Sequence, residues 1–143
     1  MVDGSQIVAE ARAWLGTPFL HQGRHRGLGV DCVGLVAGVA KALQLVDYEV
    51  TGYARHPDGV MLRAECERVL RRLAPGEPAR EGDVLLFRIA RDPQHLGIVT
   101  AVAEGRPARM IHAYAGGPGR CVEHGLDARW LRRVVAIYRL PGA

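Results

Sequence analysis

The hydrophobic pattern of the chain changes period once, at the segment "APGEPAREGD" (74–83), and this change limits the fold more than any other feature. Upstream, apolar residues recur at helical spacing; downstream they fall into short runs separated by Gly, Pro and charged residues. Ile7, Val8, Ala11, Trp14 and Leu15 make one helical stripe, which Asp3 or Ser5 can cap and Gly16 and Pro18 end. A second stripe, Leu35, Val36, Val39 and Leu43, follows the basic, glycine-rich loop "HQGRHRGLG". A third, Leu62, Cys66, Val69, Leu70 and Leu73, follows the turn-rich connector "VDYEVTGYARHPDG". Beyond the break, "DVLLFRI", "HLGIVTAVA", "ARMIHAYA", "CVEHGL" and "VVAIYRL" predict about five strands. Helices first and strands after predict an α+β domain whose antiparallel sheet is covered by helices on one side.

The 143 residues, 48% hydrophobic and 24% charged, suit one domain spanning 1–143. The net charge of +4 favours an anionic partner without selecting one. No base-reading motif accompanies it and aromatic residues are few, so nucleic acid is not an expected partner. No stretch reaches the roughly 18 apolar residues of a membrane span. The start, "MVDGSQIVAEARAW", lacks the basic and apolar regions of a signal peptide and predicts a protein made in the cytoplasm. Three cysteines at long spacings argue against a disulfide framework. No cofactor is expected.

Within the second helix, Cys32 directly follows Asp31 and shares the apolar stripe. With Asp31 as N-cap, Cys32 is the first helical residue, where the helix dipole lowers a thiol pKa and nearby N–H groups can hold an oxyanion. The alternative is a small apolar residue filling the helix–sheet interface. A nucleophilic cysteine also needs a base, expected on the sheet face that the helix covers. His95 and His112 lie on neighbouring predicted strands. If Glu104-Gly105 form a two-residue turn, Ala103 opposes Arg106 and His112 opposes Gly97, diagonal to His95. Both imidazoles then share a face, with Gly97 leaving open space beside them, and a one-residue slip would separate them. In such an arrangement His95 takes the thiol proton and later protonates the leaving amine, while His112 fixes its ring.

In this order, after "WLGTPF", the segments "DCVGLV", "HLGIV" and "IHAYA" closely resemble the NlpC-type cell-wall cysteine peptidases, papain-like enzymes with a Cys-His-polar triad. The loop "HQGRHRGLGVDC" and the terminal "RWLRRVVAIYRL" look most like the short versions encoded in phage tail and gene-transfer-agent gene sets. The resemblance implies hydrolysis of a peptidoglycan stem peptide, typically between D-glutamate and the diamino acid, with Cys32 as nucleophile, His95 as general base and His112 as the orienting residue. It also implies a particle-associated enzyme, partnered by other tail proteins and acting at the periplasmic cell wall.

Two positions depart from the family pattern: Phe19 stands where tyrosine is frequent, and Val33 where serine often follows the cysteine. His21 and Gln22 are the candidates to replace the missing hydroxyl donor. Asp31, Gly97 and Tyr53 complete the candidate substrate-binding set, although Asp31 reads first as a helix cap. The departures support one rival, a tail-tip assembly protein that keeps the fold without the activity. The shared chemistry supports another, a thiol acyltransferase or amidase. Cys66 reads as core. Cys121 and His124 have C-x-x-H spacing, but residues three apart on a strand point to opposite faces, so no metal site is expected. His25, in the basic loop, reads as solvated.

Overall fold

The computed structural model describes residues 2–46, 59–89, 92–117 and 119–143. Helix α1 (Gly4–Arg12) starts at a reciprocal cap. The Asp3 carboxylate accepts the Gln6 N–H at 3.0 Å, and the Gln6 side chain accepts the Asp3 N–H at 2.9 Å, satisfying two orphan donors together. The helix buries Ile7, Val8 and Ala11, and Trp14 is buried in the turn beyond it. Leu15, expected on the same stripe, is exposed because the helix ends at Arg12 and the chain turns. Helix α2 (Cys32–Ala42) crosses close to this turn, and the Trp14 indole fills the place that a side chain at Gly38 would take. Helix α3 (Gly59–Val69) stops before Leu70 and Leu73, which the sequence assigns to its stripe. Leu73 instead donates its N–H to the Ile137 carbonyl at 2.9 Å and is buried against the sheet.

Strands β1 (Arg24–His25) and β2 (Gly29–Val30) form a small ribbon within the basic loop. The main sheet comprises β3 (Arg71–Arg72), β4 (Val84–Ile89), β5 (Asp92–Ala103), β6 (Arg106–Ala113), β7 (Cys121–Gly125) and β8 (Val134–Arg139). Their order is β3-β8-β4-β5-β6-β7, antiparallel throughout, giving six strands where about five are expected from the sequence. The two-residue β3 is the addition, too short to leave a periodic signal. A short helix, α4 (Ala128–Leu131), capped by Asp127, precedes β8.

Strand alternation divides the core in two. Val84, Leu86, Leu96, Ile98, Ile111 and Ala113 pack with Ile7, Leu35 and Val39 on the helix side. Leu85, Phe87, Val99 and Met110 point the other way, beside Val134 and Ile137 of β8, and are covered by Leu126 and Trp130. The sheet is therefore covered on both faces rather than one, because α4 and its flanks fold over the second.

The β5–β6 hairpin has the expected turn, with Glu104 at φ 53° and Gly105 at φ 74° joining Ala103 to its partner Arg106. Two irregularities follow: Ala101 pairs with Arg109, skipping Ala108, and Val99 pairs with Met110, skipping Thr100. One extra residue on each strand cancels, so Ile98 faces Ile111 as in an unbroken ladder. This restored register carries His112 to the level of Gly97.

Candidate active site

Asp31 is buried, and its two oxygens hold the start of α2 in place. One accepts the Gly34 N–H at 2.8 Å and Arg24 Nη1 at 3.1 Å; the other accepts the Gln22 N–H at 2.8 Å. The carboxylate is thus a cap and a loop anchor, with its acceptors directed into its own chain. Gly34 completes the fit, since a side chain there would collide with the Gly23 carbonyl. Together these contacts place Cys32 at the first helical position.

The sulfur meets β5 at a break in the sheet. The β5–β6 ladder runs to Ile98–Ile111, whereas β5 continues along β4 as far as Asp92. Val99 donates its N–H to Asp83 on the β4 side at 2.8 Å, so alternation turns the Leu96 N–H toward β6, past the end of the ladder. That N–H bears on the Cys32 sulfur and favours its thiolate, as do the N–H groups of Val33 and Cys32 itself. Burial is stronger, and with the Asp31 charge it pushes the thiol up to about 12. The lowered thiol pKa expected at a helix start is therefore not found: desolvation outweighs the dipole.

His95 and His112 do share a face, and both are buried. It is the face opposite the one expected. Leu96 and Ile98 are the residues of β5 turned toward α2, so His95 and Gly97, at alternate positions, belong with Phe87 and Trp130. His95 Nε2 lies 2.7 Å from His112 Nδ1, with the rings edge to face. Among the described residues no hydrogen bond joins Cys32 to either ring; the sulfur meets this strand at the Leu96 N–H, one residue beyond His95. Burial lowers His95 to about 3 and His112 to about 2, so both rings are neutral near pH 7.

A third histidine joins them. His112 Nε2 lies 2.8 Å from His124 Nε2, and His124 Nδ1 lies 2.8 Å from the Gly125 carbonyl oxygen. Pairing of Met110 with His124 and of His112 with Val122 sets the two rings diagonally on one face. The C-x-x-H reading correctly separates Cys121, in the helix-side core, from His124, but it misses that His124 then lies beside His112. Parity along β7 was the available signal. Both nitrogens of His112 are occupied by neighbouring rings, so the three imidazoles form a chain instead of converging on one point. The Tyr114 ring stacks on His112 at 5.5 Å, and Trp130 meets His112 edge-on at 5.2 Å. Neither was singled out from the sequence.

The remaining candidates are dispersed. A side chain at Gly97 would come within 2.7 Å of Met110 Sδ, so the open space expected there is filled by the second core. Phe19 is half-buried against the helix-side core, its N–H donating to the Gly119 carbonyl at 2.8 Å. His21 and Gln22 are half-buried in the loop beside Asp31. Tyr53 lies outside the described residues.

A thiol at a helix N-terminus, set against a strand whose histidine is hydrogen-bonded to a second, is the arrangement that nucleophilic thiol chemistry needs. The NlpC/P60 family matches residues 16–139, and the chain belongs to that family, which is one of cysteine peptidases and peptidoglycan hydrolases. The fold is similar to the NlpC/p60 domain of the peptidoglycan hydrolase SagA, with a TM-score of 0.63 and 23% identity over 97% of this chain and 100% of that one. An NlpC/P60 family protein from Bacillus cereus ATCC 10987 has a TM-score of 0.71 and 16% identity over 98% of this chain and 41% of that one. NlpC1 from Trichomonas vaginalis has a TM-score of 0.68 and 17% identity over 98% of this chain and 46% of that one. The chain thus spans the whole SagA domain but less than half of the other two proteins. No curated protein matches the sequence.

Proposed function

We propose that the protein is a cysteine endopeptidase acting on peptidoglycan stem peptides, at the bond between D-glutamate and the diamino acid. The observation that carries this reading is the meeting of Cys32, at the start of α2, with the stretch of β5 that runs past its ladder with β6, beside the histidine-bonded His95. Two similar structures support the substrate: SagA is a peptidoglycan hydrolase, and Ly7917 was solved with the hydrolysing product of MDP.

Thiol and imidazole are both neutral at rest, so proton transfer accompanies attack instead of preceding it. His95 accepts the thiol proton as sulfur adds to the carbonyl carbon, and N–H groups at the start of α2 hold the oxyanion. The protonated ring gives its proton to the departing amine, leaving a thioester. Water, deprotonated by the same ring, releases the acid and restores the thiol. Carriage by a phage-tail or gene-transfer-agent particle, from synthesis in the cytoplasm to the periplasmic wall and in company with other tail proteins, is the delivery route we favour. Its support is the likeness of "HQGRHRGLGVDC" and "RWLRRVVAIYRL" to the short particle-encoded versions.

Defined muropeptides incubated with the protein and its Cys32→Ser variant, with fragments read by mass, test the activity. The protein is expected to split the stem peptide, and the variant to be at least about 10³-fold slower. Equal products, or none from either, would overturn the enzymatic reading. Turnover of acyl or lipid substrates alone would replace it with acyl transfer.

A further inference from the structure

We propose that His124 is a positioning residue that sets the tautomer of His95, and that the Gly125 carbonyl is the anchor from which the setting passes along the chain of rings. This rests on the reading of His95 as the base. A carbonyl oxygen only accepts, so the 2.8 Å contact requires hydrogen on His124 Nδ1. In its neutral form the His124 ring carries one N–H, which leaves Nε2 as an acceptor. Its 2.8 Å contact then requires hydrogen on His112 Nε2. His112 Nδ1 is left as an acceptor, and its 2.7 Å contact requires hydrogen on His95 Nε2. The lone pair of His95 therefore falls on Nδ1. That nitrogen is the one nearer the backbone of its own residue, and so nearer the His95–Leu96 junction where the sulfur lies.

No other assignment of neutral rings satisfies all three contacts. Burial of His95 and His112 keeps those rings neutral, and Trp130 and Tyr114 hold the ring planes. Without an acceptor at 124, the His112 N–H has no partner across the strand and the ring is free to present Nδ1–H to His95. His95 would then have to accept at Nε2, which moves its own proton to Nδ1 and removes the lone pair from the thiol side.

Nitrogen-15 labelling of histidine, with proton–nitrogen correlation spectra, reads the tautomers directly. In the unsubstituted protein His95 and His112 are expected as Nε2–H and His124 as Nδ1–H. His124→Gln, whose amide oxygen can still accept from His112, is expected to keep His95 as Nε2–H. His124→Leu is expected to shift His95 toward Nδ1–H and to lower kcat on muropeptides at least about tenfold with KM little changed, and His124→Gln to recover most of that loss. A resting His95 protonated at Nδ1, or a His95 tautomer indifferent to His124→Leu in folded protein, would overturn the proposal. The spectra need no turnover. A protein with the expected tautomers that cleaves no muropeptide would remove the proposed substrate and leave the tautomer assignment standing.

Discussion

Along β5 and β6, the residues turned toward the helices are Leu96, Ile98, Ile111 and Ala113, all buried and apolar; those turned away are His95, Gly97, Val99, Met110 and His112. The same two strands, shifted by one residue, thus build a packing surface on one side and a histidine chain on the other. Leu96 joins the two. Its side chain packs under α2 while its N–H bears on the sulfur, so the layer that holds the helix also sets the distance between nucleophile and strand.

The largest test of this division sets neighbours against each other. Leu96→Ala is expected to cost about 2–5 kcal/mol in denaturant unfolding, through lost burial and the cavity left behind. His95→Gln, whose amide can still donate to His112, is expected to cost about 1 kcal/mol or less while lowering muropeptide cleavage about 10²–10⁴-fold. Equal losses of stability would mean that the faces are not divided in this way.

Gly34→Ala is next. The added methyl meets the Gly23 carbonyl, and a loss of about 1–3 kcal/mol is expected together with lower activity, because the start of α2 must shift. Asp31→Ala removes the cap of α2 and the partner of Arg24 and the Gln22 N–H, with an expected loss of about 2 kcal/mol in thermal or denaturant unfolding. An Asp31→Ala protein with unchanged melting and slower turnover would instead show that the carboxylate serves the reaction more than the helix.

The smallest effect near neutral pH comes from the histidine face. Native His95 and His112 take up protons only near pH 3 and 2, whereas an unfolded histidine does so near 6.5. Below about pH 6.5 the unfolded chain therefore binds protons that the native rings refuse, and stability falls as pH falls toward 3. Each ring contributes a slope of at most about 1.4 kcal/mol per pH unit. Melting temperature followed from pH 7 to pH 4 should decline, and less steeply in His112→Asn. A decline of equal slope in that variant would remove His112 as a source of the acid sensitivity.

Much of the arrangement could be read from residue pattern. Asp31 before an apolar helical stripe predicts the cap, Glu104-Gly105 predicts the hairpin turn, and the register that follows puts His95 and His112 on one face. That register holds although two bulges interrupt the hairpin, since each strand gains one residue and the displacements cancel. The face itself is the opposite of the expected one. Leu96 and Ile98 already mark the helix side by their apolar character, so His95 had to lie on the other. The expectation that base and helix share a face conflicts with that parity. His124 escapes the C-x-x-H spacing because its partner is a residue on the neighbouring strand and not Cys121.

Residue order alone settles the α+β class, the capped helix that begins at Cys32 and the common parity of His95 and His112, because caps, turns and alternation are local consequences of side-chain chemistry. Three matters belong to the assembled chain. Desolvation leaves Cys32 a neutral thiol despite its place at a helix start. Strand pairing brings His124 to His112, and the end of the β5–β6 ladder turns the Leu96 N–H toward the sulfur. Burial and cross-strand adjacency depend on segments far apart in the chain, and no local pattern carries that information.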